Sequence, residues 1–198
     1  IVDLNSVILT DEANRLGHET NKDPRLVQLI LSQSKDIIRV DKERGILITE
    51  THHGFICANA GIDSSNVPGD TNVCLLPADP DESARRIRVR ILELIGDIPI
   101  AVIISDTFGR PWREGHLNFA IGSCGIEPIR DYRDTVDAVG KSLKVTMIAI
   151  ADMVAAASDL GSGKATNTPV AIVRGVEYQQ SPYGASSLLR SATKDMFR

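Results

Sequence analysis

Apolar positions along the chain change period several times, and each change marks an element. Leu26, Val27, Ile30 and Leu31 recur at helical spacing behind Asp23-Pro24. An acid placed to cap, followed by a proline whose missing N–H costs nothing in a first turn, opens a helix there. From "IIRV" the texture becomes β-rich. "DKERG" separates two such runs, with Ile46 and Ile48 alternating on the second, which predicts a hairpin. "FICANAGIDSSNVPGD" dissolves into small and turn-forming residues. Asp79-Pro80 repeats the opening signal, with Ala84, Ile87, Ile91, Leu94 and Ile95 on the expected buried side and Arg85, Arg86, Arg88 and Arg90 along the same helix. "IPIAVIIS" and "LKVTMIAIAD" read as apolar strands, "MVAAASDLGSGK" as a helix closed by glycine, and "PVAIVRGV" as a further short strand. The order is mixed, without a sustained βαβ rhythm. The pattern therefore predicts an α+β fold, mixed β-sheets with flanking helices, over a doubly wound sheet.

Composition narrows what such a fold does. With 198 residues, 42% of them hydrophobic, the chain forms one compact domain over 1–198 or two small lobes sharing a core, with no boundary marked. The formal charge of −4 is mild. No lysine- or arginine-rich block and few aromatics argue against nucleic acid as a partner. No apolar stretch approaches the ~18 residues that cross a bilayer, and no signal peptide opens the chain. Cys57, Cys74 and Cys124 are odd in number and widely spaced in apolar surroundings, as expected of reduced, buried thiols in a cytoplasmic protein. The first residue is Ile1 rather than Met, so the natural start is expected to lie upstream.

Candidate chemistry gathers at two acids. "AVIIS" runs into Asp106 and "VTMIAIA" into Asp152. Carboxylates at the ends of apolar strands suit a cleft, and two hard oxygen donors suit Mg²⁺ or Mn²⁺ when phosphate and water complete the shell. Each acid also has a plainer reading: Asp152 as a helix N-cap, Asp106 as the start of an Asx turn. Arg110 and Arg113 offer bidentate donors to phosphate or carboxylate oxygens, or stand as solvated loop cations. Between them Trp112, the one tryptophan, is expected to brace the loop. Gly109 permits a close backbone approach or simply turns the chain. His52-His53 falls on an expected strand, which would point the rings to opposite faces, and His116 stands alone, so no zinc site is expected. "GSGKAT" follows a helix and lacks the spacing of a phosphate loop.

Five stretches together resemble the coenzyme F420-0:γ-glutamyl ligase family: "ETHHGFICANAGIDSSNV", "LLPADPDESARRIR", "ISDTFGRPWREG", "AIGSCGIEPIRDYRDTVDAVGKSLKVT" and "GKATNTPVAIVRG". They occur in the family's order across most of residues 1–175. The resemblance implies that family's α+β fold, an intertwined homodimer, and a GTP-dependent ligase acting on small molecules. Family members add L-glutamate to F420-0 and extend it by γ-linkages, through an acyl phosphate. It further implies Asp106 and Asp152 as ligands of Mg²⁺ or Mn²⁺, with K⁺ as an additional cation. Thr107 and Gly109 become candidate nucleotide contacts; read from the residues themselves, Arg110, as a catalytic cation, and Arg113 are expected to meet phosphate or a polyanionic substrate. Asn59, Asp63 and Asn66 are candidate cleft residues, or else a tightly turned, self-bonded loop.

This sequence also departs from the family's pattern. Met153 replaces the usual glutamate after the second metal aspartate, His52 stands where arginine is common, and Asp134 occupies a typical glycine position. "EGHLN" replaces a more polar stretch, and the family's N-terminal Ser/Lys-containing nucleotide segment is not among these residues. Two alternatives follow: an impaired paralogue that binds a deazaflavin or nucleotide, and a metal-dependent ligase for another carboxylate.

Overall fold

A computed structural model describes residues 1–163 and 166–196; Lys164 and Ala165 of "GSGKAT" lie outside them. The fold is α+β, built from small sheets and short helices. Two compact units divide it. One comprises Ile1–Ala78, Phe108–Gly115 and the described C-terminal residues from Asp195; the other comprises Asp79–Thr107 and His116–Lys194.

In the first unit, α1 (Asp11–Thr20) and α2 (Pro24–Gln33) begin at side-chain caps. Thr10 accepts from the Ala13 N–H, and Asp23 accepts from the Arg25 N–H at 2.8 Å ahead of Pro24, as expected. Strands β2 (Ser34–Asp41), β3 (Ile46–Thr51) and β4 (Ile56–Ala58) form an antiparallel sheet, and β1 (Val2–Asp3) pairs with β5 (Asn72–Val73). The expected hairpin is β2–β3, turned by Lys42–Gly45 with Gly45 at φ +62°. Its buried face is the opposite of the apolar alternation, however. Leu47, not Ile46 or Ile48, enters the core with Ala13, Leu16, Val27, Ile30 and Ala60. The helix pair packs on that face, and the strand's two-residue period leaves both isoleucines half-buried.

In the second unit, α3 (Pro80–Ile95) starts at Asp79, which accepts from the Glu82 N–H at 2.9 Å. β6 (Val102–Arg110) and β7 (Arg113–Cys124) form a two-stranded sheet whose tip groups with the first unit. β8 (Ile129–Asp131) pairs with β9 (Met147–Ala149), which leads directly into α4 (Ile150–Asp159). Small residues dominate the packing here: Ala120, Ala151, Ala155 and Ala185 are buried together, with Ile103 and Leu188 against them. Just inside α3, the Asp81 carboxylate accepts from the Ser123 N–H, the Ala185 N–H (both 2.8 Å) and the Ser186 N–H (3.3 Å). One side chain thus ties a helix start, a strand end and a distant 3-10 turn. The backbone comes close at both partners. A Cβ on Gly122 would overlap the Pro80 carbonyl, and one on Gly184 the Asp81 carboxylate.

Three expectations are corrected here. On α3 only Pro80 and Ala84 are buried, while Ile87, Leu94 and Ile95 are exposed, because no described element covers that stripe. "PVAIVRGV" forms no strand; it has no ladder partner among the described residues, and Val170 and Ile172 face solvent. Cys74 is exposed and Cys124 half-buried, leaving Cys57 as the buried thiol; none of the three forms a disulfide.

The Asp81 junction predicts a specific stability pattern. Asp81→Ala strands three N–H groups and should cost about 3 kcal/mol. Gly122→Ala should also lower the thermal midpoint by several degrees, whereas Gly161→Ala, whose added Cβ meets its nearest atom at 3.8 Å, should not. Urea and thermal unfolding of the three variants check this.

Candidate active site

In the second unit the two aspartates sit on one hairpin and on the helix docked against it. Asp152 occupies the first turn of α4, after Ala149 as N-cap. It is neither a strand end nor a cap, because β9 stops at Ala149 and the carboxylate reaches across to β7. There it accepts from the Ala120 N–H at 2.9 Å. Burial pushes the Asp152 carboxyl above its ordinary value of 3.8, and the Ala120 bond opposes that rise. Asp106 is half-buried inside β6, which runs through it to Arg110 and so replaces the expected Asx turn. β7, which carries Ala120, is the strand paired with β6, and Ile103 and Ala120 share the alanine cluster beneath α4. Thr107 donates to the Asn118 side chain at 2.7 Å across the hairpin.

Asn118 and Ala120 are the site residues that sequence reasoning missed. Asn118 lay within the divergent "EGHLN". Ala120 acts only through its backbone and has no side-chain signature. Among the described residues no three His, Cys, Asp or Glu side chains converge on one point. Two carboxylates still fit a hard divalent ion on chemical grounds. Asp152 is desolvated and, among the described residues, receives one protein N–H, so its oxygens keep acceptor capacity.

In the first unit lie the hairpin tip and the turns around β4. Arg110 donates to the Gly115 carbonyl at 3.1 Å; Arg113 is exposed, and Gly109 is exposed within the strand. Trp112 is 87% exposed at φ +64°. The Phe108 ring lies 6.2 Å from Phe55, which stacks on His53 at 5.7 Å. The histidines stand in a turn beyond β3 rather than on it. His52 Nε2 donates to the Ser32 carbonyl and His53 Nε2 to the Pro77 carbonyl. Asn59 and Asn66 take left-handed φ values, and the Asn59 side chain accepts from the Leu47 N–H at 3.4 Å. The Asp63 carboxylate accepts from the Ser65 N–H and hydroxyl at 2.8 and 2.6 Å. At Asp63 the self-bonded loop is therefore what forms.

The geometry can be set beside known proteins. The sequence profile of the F420-0:gamma-glutamyl ligase family matches residues 1–175. The chain belongs to this family. Over its full length it is 44% identical to coenzyme F420:L-glutamate ligase of Methanothermobacter thermautotrophicus, covering 78% of that protein. It is 41% identical to the protein of the same name from Methanocaldococcus jannaschii, also covering 78%. For the Methanopyrus kandleri protein the identity is 40% and the coverage 79%. Membership in the F420-0:gamma-glutamyl ligase family gives the departures structural meaning. Asp134 has φ +62°, a backbone glycine adopts freely and Asp tolerates. Met153 is 59% exposed on α4, next to Asp152, where a thioether offers a hard cation little. No helix among the described residues is long and apolar enough to cross a membrane.

Asp152→Asn separates stability from ligand chemistry. Asn still accepts from Ala120 but carries no buried charge. The raised carboxyl pKa means that protonated Asp152 is favoured by the fold and ionised Asp152 is not. Metal-free Asp152→Asn should therefore match wild type below pH 3.8. It should become equally or more stable as pH rises through the elevated pKa, as chemical denaturation at several pH values would show.

Proposed function

We propose that the chain is a coenzyme F420:L-glutamate ligase that uses GTP and Mg²⁺ or Mn²⁺. The family match across residues 1–175, with two carboxylates on one hairpin–helix unit, carries this reading. A carboxylate does not condense with an amine near neutral pH, because its oxygen is a poor leaving group. In the proposed sequence the substrate carboxylate takes the γ-phosphoryl group of GTP, and GDP departs. The glutamate amine attacks the acyl carbon of the resulting acyl phosphate. The acyl C–O bond to phosphate breaks, inorganic phosphate leaves, and the nitrogen loses a proton as the amide forms. This chemistry needs alignment and charge neutralisation more than a nucleophilic side chain.

A divalent ion on Asp106 and Asp152 would supply the neutralisation of phosphate charge. The chain's own contribution is orientation. The Ala120 N–H fixes the Asp152 carboxylate against β7, while Arg110 and Arg113 are donors for anionic substrate oxygens. The intertwined homodimer belongs to the same proposal, supported by the exposed apolar residues of α3 and of residues 168–176.

Met153 favours one second reading, a family member that binds ligands without completing ligation, since the neighbour of Asp152 is exposed and neutral. Full-length protein incubated with F420-0, GTP, L-glutamate and Mn²⁺ should yield product heavier by whole glutamyl units in mass spectrometry. Folded protein giving no such gain contradicts the ligase reading, and turnover appearing only in Met153→Glu marks the second. Asp106→Asn and Asp152→Asn should each abolish metal-supported nucleotide binding by calorimetry.

A further inference from the structure

Left-handed backbone is costly for a bulky side chain, and the described non-glycine residues that adopt it fall into two groups. Asn21, Asn59, Asn66, Asp134 and Asn167 have the short polar side chains that tolerate it. Ala60 and Trp112 do not. Ala60 is 2% exposed and lies in the core of the first unit, so packing offsets its strain. Trp112 is 87% exposed at φ +64° and gains no comparable burial. Its turn follows Pro111, whose ring fixes the preceding φ. Proline followed by a left-handed residue is the type II pattern, in which glycine or asparagine is favoured at the place Trp112 holds. Phe108, on the same hairpin, places its ring 6.2 Å from Phe55.

A large flat ring is therefore presented at a strained position, with Arg110 and Arg113 on either side of the turn. Arg110 keeps one nitrogen on the Gly115 carbonyl, which fixes its guanidinium at the tip. Indole offers a stacking face, and guanidinium groups offer donors only. A planar ring with an acceptor-rich edge and a negatively charged arm matches that set. The dione edge and anionic side arm of a deazaflavin have this chemistry. Guanine also offers an acceptor pair, O6 and N7, beside an anionic arm, but its two fused rings give the indole a smaller stacking face than the three of a deazaflavin.

We propose that the Arg110–Pro111–Trp112–Arg113 tip binds the deazaflavin of the acceptor substrate, with Trp112 stacked on the ring and the arginines on its anionic arm. This rests on the ligase reading above and adds the residues that select its acceptor.

The test is equilibrium dialysis of the full-length protein against coenzyme F420, a phosphate-free deazaflavin riboside, and GTP. Trp112→Ala should weaken both deazaflavins by about ten-fold, the size of one stacking contact, and leave GTP affinity unchanged. Trp112→Phe should recover most of that loss. Arg113→Ala should weaken coenzyme F420 but not the phosphate-free ring. Trp112→Gly, suited to the left-handed turn, should lose deazaflavin affinity while its thermal midpoint stays level or rises; a bracing tryptophan would lower it. Wild-type deazaflavin affinity in Trp112→Ala overturns the inference and leaves the ligase reading standing. Wild-type protein that binds GTP but no deazaflavin removes the ligase reading itself. Loss of GTP affinity in Trp112→Ala would assign the tip to the nucleotide and overturn the proposal. A changed oligomeric mass with unchanged ligand affinity would overturn it in favour of a protein contact.

Discussion

A backbone N–H on β7 holds the second carboxylate in place: Ala120 donates to Asp152 across 2.9 Å. Much of the second unit is arranged to permit that bond. A helix can bring its first turn so close to a strand only if the residues between them are small, and Ala120, Ala151 and Ala155 are. The interface also sets the site's electrostatics. It shields the carboxylate from water while giving it one protein donor among the described residues, which leaves an anion that a hard cation would satisfy. Asp106 joins the same construction because β6 is the strand paired with β7. The alanine packing and the candidate ligand chemistry are thus one constraint seen from two sides.

The first unit solves a different problem, that of short elements joined by tight turns. Its helices are opened by side-chain caps at Thr10 and Asp23, and its turns use Asn21, Asn59, Asn66 and glycines at positive φ. The Asp63 side chain bonds to Ser65, two residues along. The Asp63 and Ser65 side chains are thereby spent on making the chain turn. The hairpin tip departs from this economy, since Trp112 occupies a turn position that a smaller residue would fill with less strain.

Features governed by local chemistry were legible in the sequence. Asp23-Pro24 and Asp79-Pro80 open α2 and α3, "DKERG" turns β2 into β3, and the mixed order of elements gives the α+β class. Features set by what lies across the fold were not. Periodicity identified the apolar stripe of Ile87, Leu94 and Ile95 but could not say whether anything covers it. β-branched residues in "PVAIVRGV" signal strand propensity, yet a strand needs a ladder partner, and none lies beside it among the described residues. Asp152 at the foot of an alanine-rich helix invited a capping role. Its actual partner is 32 residues away and donates through the backbone. The aspartates themselves were visible; the bond that positions one of them was not.

The central proposal is that Asp106 and Asp152 jointly hold a divalent ion that accompanies the nucleotide. Anomalous diffraction from crystals of the full-length protein grown with Mn²⁺ and a non-hydrolysable GTP analogue tests it directly. The account predicts a manganese peak within coordination distance of carboxylate oxygens from both residues, with the Ala120 bond to Asp152 retained. A manganese peak bound to the nucleotide and touching neither carboxylate would contradict it.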